Sequence, residues 1–270
     1  MRIFISIVSH LHHSILINLG TMQLLAQHPD ITVVCRDNIA TEPLVKICER
    51  YGVYYQYNVN QMGFAANNNT NFEYCKHELG MKADDFFIVL NPDIYMQEKD
   101  IEQLVLTLKQ TKASFLVPNL LLDKEEMMLD DNIRSYPQFI NFIQTYLFNQ
   151  RVTMVDRRNG LPETASYWAS GAFLIVKASL FQRVKGLEER YYMYCEDIDF
   201  SLRLRLDNIY FEYLPNLKPT HFRSRDSRRF MTKYFLWHVS SVFRYCFSRP
   251  VLISKRSCIS DSLHKEDEWV

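Results

Sequence analysis

Glycine is scarce in this chain, with seven among 270 residues. Three of them, Gly52, Gly80 and Gly186, stand where helical patterns close, so little glycine is left for other work. There is no GxGxxG and no GxxxxGK followed by Ser or Thr. A dinucleotide-binding turn and a P-loop both use such glycines to bring backbone N–H groups against phosphate, so neither is expected. Cysteine is also thin: the six residues show no CxxC pair and no regular spacing. That argues against a disulfide scaffold or structural zinc and fits a reducing cytoplasm. No window holds 18 clean apolar residues, so no transmembrane helix is expected. The opening "MRIFISIVSHLHH" has a short apolar run without a small-residue cleavage site, and reads as a first strand, not a signal peptide. Internal repeats and low-complexity segments are lacking.

Apolar residues make up 47% of the chain and aromatics 14%, the composition of a packed globular protein with one large core or two small ones. Net charge is zero but unevenly spread. Residues 216–256 hold ten Lys/Arg and one acid, Asp226, while residues 257–270 hold one Lys and four acids. The basic stretch points to an anionic partner.

Along the first 120 residues, apolar runs alternate with helical patterns. "RIFISIV", "ITVVC", "VYYQYN", "DFFIVL" and "SFLVPNL" read as strands. "SILINLGTMQLLAQ", "EPLVKICERYG", "GFAANNNTNFEYCKHELG" and "EKDIEQLVLTLKQ" read as helices. This alternation predicts an α/β protein with a mostly parallel sheet. Residues 123–166 are less regular and polar, and are expected to cross the sheet as a long excursion. "GAFLIV" and "IYFEYLP" read as further strands, and "KASLFQRVKG" as a helix.

Four segments carry candidate chemistry. In "VLNPDI", Asp93 lies just past the end of an apolar strand, where parallel sheets bind ligands. One or two carboxylates suffice to hold a divalent cation on substrate phosphates; a plain turn is the bland alternative. In "YCEDIDF", Glu196, Asp197 and Asp199 sit among apolar neighbours. They fit a general base with a supporting acid, or a helix start pairing with Arg203 or Arg205. The alternation of Ile198, Phe200, Leu202, Leu204 and Leu206 also suits a strand. In "THFRSRDS", His221 follows a strand beside arginines, open to a metal or phosphate role. "FMTKYFLWHVSSVFRYCF" has helical spacing and suits a helix packed on the domain, an interfacial helix on an anionic membrane, or both on different faces. No reader motif for nucleic acid accompanies the basic residues.

In order, the chain runs "VVCRDN", "MGFAANNN", "VLNPDI", "RSYP", "WASGAFLIVK", "YYMYCEDIDFSLRLR" and "THFRSRDS". Over roughly residues 3–245 this resembles the family 2 glycosyltransferases of the GT-A fold, and most closely the bacterial O-antigen and lipopolysaccharide rhamnosyltransferases. The resemblance implies a catalytic domain over residues 1–215. Residues 216–270 would then form a basic, aromatic helical extension with an acidic tail. It implies that Asp37 contacts the nucleotide base and that Gly63, Asn68 and Asn69 lie against the nucleotide-sugar. Asp93 would bind Mg²⁺ or Mn²⁺ on the diphosphate, with Asn91 where the first acid of a DxD motif stands and His221 completing the metal site. Asp197 would be the base, Glu196 its neighbour, and Trp168 would face the acceptor. Ser9 and Asn91 would join the nucleotide-sugar contacts, although Ser9-His10 stands where many relatives have Tyr-Asn; Asn67 holds a position often small, and Asn208 replaces a helix-ending Gly. The implied reaction is inverting transfer of L-rhamnose from dTDP-β-L-rhamnose to a saccharide on undecaprenyl diphosphate. It would take place at the inner face of the bacterial cytoplasmic membrane, reached through the C-terminal extension. A UDP-hexose donor is the alternative, followed by a nucleotidyltransferase and a non-catalytic assembly subunit.

Overall fold

Ile3, Ile5 and Ile7 of the first strand enter one core and Phe4 enters another, the two-residue period of a strand buried on both faces. The structure is a computed structural model that describes residues 1–123, 125, 127–162, 166–223, 233–247 and 256–259. Strand β1 (Ile3–Ser9) pairs in parallel with β2 (Ile31–Asp37) and β4 (Phe86–Leu90), and β2 with β3 (Tyr54–Tyr57). On the other flank β11 (Phe173–Lys177) runs antiparallel to both β4 and β6 (Phe115–Pro118). β12 (Glu212–Leu214) lies parallel to β6 at the edge. The seven-stranded order is β12-β6-β11-β4-β1-β2-β3. The mostly parallel sheet expected from the alternation is therefore present.

Helices α1 (His13–Leu19), α2 (Thr21–Ala26), α3 (Glu42–Tyr51) and α5 (Glu98–Gln110) supply Leu16, Met22, Leu44 and Leu104 to the Ile3 side. The single helical run expected over α1 and α2 is split at Gly20, whose φ of 70° is left-handed. Across the sheet, α4 (Phe64–His77), α7 (Ala178–Arg183) and α8 (Glu196–Leu206) supply Phe72, Phe181 and Phe200. Phe72, Phe87 and Phe181 meet with ring centroids 4.9–5.2 Å apart. Such pairs add about 0.5–1.5 kcal/mol each beyond the area they bury.

Two expectations change. The alternation in "YCEDIDF" left a strand open, but the segment starts α8. The Asp199–Arg203 pair, 2.7 Å apart at i,i+4, ties its first turns together. Asn208, with φ of 58°, follows its end in the glycine-like conformation. Residues 123–166 are not uniformly irregular and polar. They hold α6 (Phe139–Phe148), with the strongly apolar sequence FINFIQTYLF. Gln138 and Asn141 start it with a reciprocal capping box. β9 (Ile133–Ser135) precedes α6 and pairs antiparallel with β10 (Tyr167–Ala169).

A second small sheet, β5-β13-β7-β8, contains β5 (Ile94–Tyr95), β7 (Leu121–Asp123), β8 (Met128–Leu129) and β13 (Thr220–His221). It pairs His221 with Ile94, next to Asp93. Beyond residue 215, helix α9 (Lys233–Phe247) lies on the domain. Ser241 Oγ donates to Met193 O at 2.8 Å, and Trp237 packs on Tyr192 with ring centroids 4.4 Å apart. Val242 and Tyr245 join Trp168, Tyr191 and Ile198 in a third apolar cluster. Most of residues 224–270, including "SRDS" and the acidic tail, lies outside the described residues. Among the described residues no helix is long and apolar enough to cross a membrane.

Candidate active site

β1, β2 and β4 end side by side, with Ser9 opposite Asp37 and Ile7 opposite Leu90. Just beyond these carboxyl ends lies a cavity of about 380 Å³, the position where open α/β sheets bind ligands. Val8, His10, Asn38, Asn91 and Asp93 line one side; Tyr192, Glu196, Asp197 and Trp237 line the other.

The loop before α8 sets the second wall. Tyr194 and Cys195 both adopt left-handed backbone, with φ of 72° and 66°. This costs about 1–2 kcal/mol per residue. Surrounding contacts hold it there. Phe64 N donates to Tyr192 O at 2.9 Å, α9 grips Met193 O, and Cys195 is buried. Gly63 is needed at the contact, since a Cβ there would lie 2.3 Å from Tyr192 O.

This loop delivers two carboxyls with different surroundings. Asp197 Oδ2 accepts the Gly171 N–H at 3.0 Å and Oδ1 accepts the Ile198 N–H at 2.9 Å. Burial raises its pKa, while those N–H groups and the Arg134 charge pull it back. Glu196 Oε2 is buried without a hydrogen-bond partner among the described residues. Burial raises the Glu196 pKa well above the ordinary carboxylate value, and the neighbouring Asp197 charge raises it further. Like charges this close resist joint ionisation. The surroundings therefore favour the proton on Glu196 and the charge on Asp197, which keeps part of its surface open to the cavity. An ionised carboxylate beside a cavity can take a proton from a bound hydroxyl.

Across the cavity, Asp93 Oδ1 lies 3.3 Å from His221 Nε2, and His221 Nδ1 lies 2.6 Å from Asp130 Oδ2. Arg223 pairs with Asp130 and Asp131. Among the described residues no three His, Cys, Asp or Glu side chains gather as a self-sufficient metal cage. A hard cation bridging a diphosphate does not require one. Two neighbouring ligands of an octahedral ion, each about 2.1 Å from it, lie about 3 Å apart, so one carboxylate oxygen and one imidazole nitrogen at this separation fit such an ion.

The structure brings Asn91, Asp93, Glu196 and Asp197 together around the cavity, with Gly63 just behind its wall. His221 stands beside Asp93. Other residues expected at the site lie outside the lining. Asp37 is fully buried, and its carboxylate accepts from the Thr41 N–H and hydroxyl, both at 2.7 Å, and from the Ile39 N–H at 3.2 Å. Ser9 Oγ accepts from His12 N at 3.3 Å. Asn68 accepts from Ser6 Oγ, and Asn69 bonds both backbone groups of Leu187. Trp168 is buried, its Nε1–H donating to Ser135 O at 3.0 Å. Their neighbours Asn38 and Asn67 line the cavity instead, as does Trp237. Asn38 sits beside the expected Asp37, and Trp237 lies in a segment noted for its aromatics. Nothing in the sequence singled out Asp130.

Comparison with known proteins agrees with this fold. Residues 21–176 match the family described as Glycosyl transferase family 2. The chain is 31% identical over 253 residues to rhamnosyltransferase WbbL of Escherichia coli K12, covering 94% of this chain and 96% of that one. It is 25% identical over 174 residues to N-acetylglucosaminyl-diphospho-decaprenol L-rhamnosyltransferase of Mycobacterium tuberculosis H37Rv, covering 62% of this chain and 56% of that one. Mannosyltransferase PcManGT of Pyrobaculum calidifontis, solved with GDP-Man and Mn²⁺, superposes with a TM-score of 0.57 at 11% identity. That match covers 94% of this chain and 66% of the other. Staphylococcus aureus TarS 1–349 with UDP-GlcNAc gives a TM-score of 0.54 at 12% identity, over 83% of this chain and 60% of the other. The fold is of the GT-A type; the chain spans about two thirds or less of the two solved structures and of the mycobacterial relative.

Proposed function

From a chain that belongs to glycosyl transferase family 2, we propose an inverting enzyme that moves L-rhamnose from dTDP-β-L-rhamnose onto a saccharide carried by undecaprenyl diphosphate. The reading is carried by one observation: a cavity at the strand ends holds the partly open Asp197 carboxylate on one wall and Asp93, with His221 beside it, on another. The rhamnosyl part is supported by the two relatives named as rhamnosyltransferases, one of which is named for a lipid-diphosphate acceptor.

The donor diphosphate sits beside Asp93 and His221, which would hold Mg²⁺ or Mn²⁺. When bound, such an ion would offset the charge that builds on the departing nucleoside diphosphate. The acceptor hydroxyl enters from the Trp237 side of the cavity. Its oxygen forms a bond to the anomeric carbon while the bond from that carbon to the diphosphate oxygen breaks. Asp197 Oδ takes the hydroxyl proton, and the nucleoside diphosphate leaves with the bonding electrons. Direct displacement without a protein nucleophile inverts the anomeric centre. Glu196, neutral beside Asp197, keeps the charge of the pair on the base. Asn38 and Asn67, whose amides are bonded to Met62, Gly63 and Asn58, fix the wall beside the donor, and Asp37 shapes the loop under it. The enzyme works at the inner face of the bacterial cytoplasmic membrane, where its acceptor resides.

The test is a panel of nucleotide sugars incubated with the full chain, Mg²⁺ and a polyprenyl-diphosphate saccharide. Transfer from dTDP-rhamnose with release of dTDP is expected. Transfer from a UDP-hexose alone reassigns the donor, and no turnover of any donor overturns the reading.

A further inference from the structure

We infer that an exposed apolar face shared by α6 and α9 is a docking surface for an anionic phospholipid bilayer, holding the cavity mouth against the lipid. The face is contiguous. Phe139 of α6 packs on Phe243 and Phe247 of α9, with ring centroids 5.7 and 5.5 Å apart, and those two rings stack at 5.6 Å. On α6, Phe139, Ile140 and Leu147 fall on one side of the helix; on α9, Leu236, Phe243 and Phe247 recur at i, i+7 and i+11. All six are exposed, Leu147 and Phe247 at 67% each. A contiguous exposed patch of this kind marks an interaction site.

Charge selects the occupant. Residues 132–155, which contain α6, have Arg134 and Arg151 and no acid. Residues 227–256, which contain α9, have seven Lys/Arg and no acid. Arg134 and Arg151 are paired with Asp131, so it is the basic, acid-free sequence around α9 that is complementary to anionic headgroups, with the rings entering the boundary beneath them. A second copy of the same face would instead bring like charges together.

Position ties the surface to the chemistry. About 100° and 140° around α9 from that face, Trp237 lines the cavity wall and Ser241 bonds Met193 O. A helix is about 10–12 Å across, so the cavity mouth lies roughly that far from a bilayer touching the outer face. An acceptor anchored by a polyprenyl chain exposes its diphosphate and sugar at that depth. This last link rests on the lipid-linked acceptor of the proposed function; the docking itself does not.

The test uses the full chain, unilamellar vesicles of phosphatidylcholine with or without phosphatidylglycerol, and the variants Leu147→Glu with Phe243→Glu, and Leu236→Glu. Wild type should sediment with the anionic vesicles, less so at high salt. The double variant should lose at least ten-fold in vesicle partition while keeping its melting temperature and its turnover of a short-chain, water-soluble acceptor. Wild type that ignores vesicles, or variants that bind them equally well, overturns the docking surface. So does a wild-type dimer, seen by light scattering, that the double variant dissolves while vesicle partition is unchanged. Vesicle binding that the variants abolish, in a protein that transfers no sugar to a lipid-linked acceptor, keeps the docking surface and removes the functional reading.

Discussion

The His221 imidazole is held by Asp130, with Nδ1 2.6 Å from Oδ2, while its other nitrogen faces Asp93. Asp130 is buried and paired with Arg223, so its ionised carboxylate can only accept, and Nδ1 carries the hydrogen. In a neutral ring Nε2 then presents its lone pair toward the Asp93 side, the arrangement that orients metal-ligating histidines. Asp130→Asn replaces an obligate acceptor with a group that can also donate, and frees the ring to take the other tautomer. The prediction is about 10–100-fold weaker Mn²⁺ affinity in the presence of dTDP, measured by calorimetry, with dTDP binding in the absence of metal unchanged. Asp93→Asn and His221→Ala serve as references. If they weaken Mn²⁺ binding and Asp130→Asn does not, Asp130 has no part in orienting the ring. If Asp93→Asn also leaves it intact, the metal is not held there.

Asp197 and Glu196 make opposite predictions although they are adjacent. Asp197→Asn removes the proposed proton acceptor and is expected to lower kcat by about 10²–10⁴-fold with donor affinity retained. Glu196→Gln keeps the shape of the neutral acid and is expected to retain most turnover. It should also change stability in a pH-dependent way. The folded state raises the Glu196 pKa through burial and the Asp197 charge. Its contribution is therefore fully present below the unfolded carboxylate value and is lost as pH rises toward the folded one. Gln escapes that loss, so Glu196→Gln should melt higher than wild type at alkaline pH and equally at acid pH. An equal effect at both ends of the range contradicts the proton assignment.

Much of this was readable in the sequence where one residue's own neighbours decide its role. The strands of the central sheet carry runs such as "RIFISIV" that admit few alternatives, and "NPD" and "ED" announced the two sides of the cavity. Three things were not readable. Asp130 acts through a side chain 91 positions away, and β13, which brings His221 there, is two residues long. The apolar helix α6 was hidden by averaging over a polar stretch, although Gln138 and Asn141 marked its start. In "RDN" and "NNN", adjacent amides and acids differ only in which way the backbone turns them. Asp37, Asn38, Asn67, Asn68 and Asn69 are all bonded into the scaffold, but only Asn38 and Asn67 also reach the cavity lining.

His238 gives α9 an acid-sensitive attachment. Its ring lies 5.0 Å from Tyr194 and 6.1 Å from Phe142. Burial, helped by the Arg134 charge, lowers its pKa to about 4. A depressed histidine contributes stability that is present above its unfolded value, about 6.5, and is lost as pH falls through the folded one. Between pH 6.5 and 4 the fold should weaken, with altered Trp237 fluorescence as α9 loosens from Tyr192. His238→Gln should flatten that part of the stability profile. A wild-type profile unchanged by His238→Gln removes His238 as the cause.

Gly63 tests whether the Tyr192–Cys195 loop sets catalytic geometry. A methyl group at Gly63 would meet the Tyr192 carbonyl oxygen at 2.3 Å and its Cα at 2.7 Å. Both are backbone atoms, so no side-chain rotation relieves the clash. The loop must move away from α4, and it is already in left-handed backbone at Tyr194 and Cys195. Overpacking of this kind costs about 1–3 kcal/mol, a melting temperature lower by several degrees. Displacement by an ångström at a catalytic group costs about 10²-fold in rate, so Gly63→Ala should lose far more activity than its stability loss accounts for when assayed well below the melting point. Mn²⁺ binding, which we propose at Asp93 and His221 across the cavity, should survive. If Gly63→Ala loses Mn²⁺ binding and activity together, the substitution has disturbed the whole site; if it keeps wild-type kcat, the loop's contact with α4 does not place Asp197.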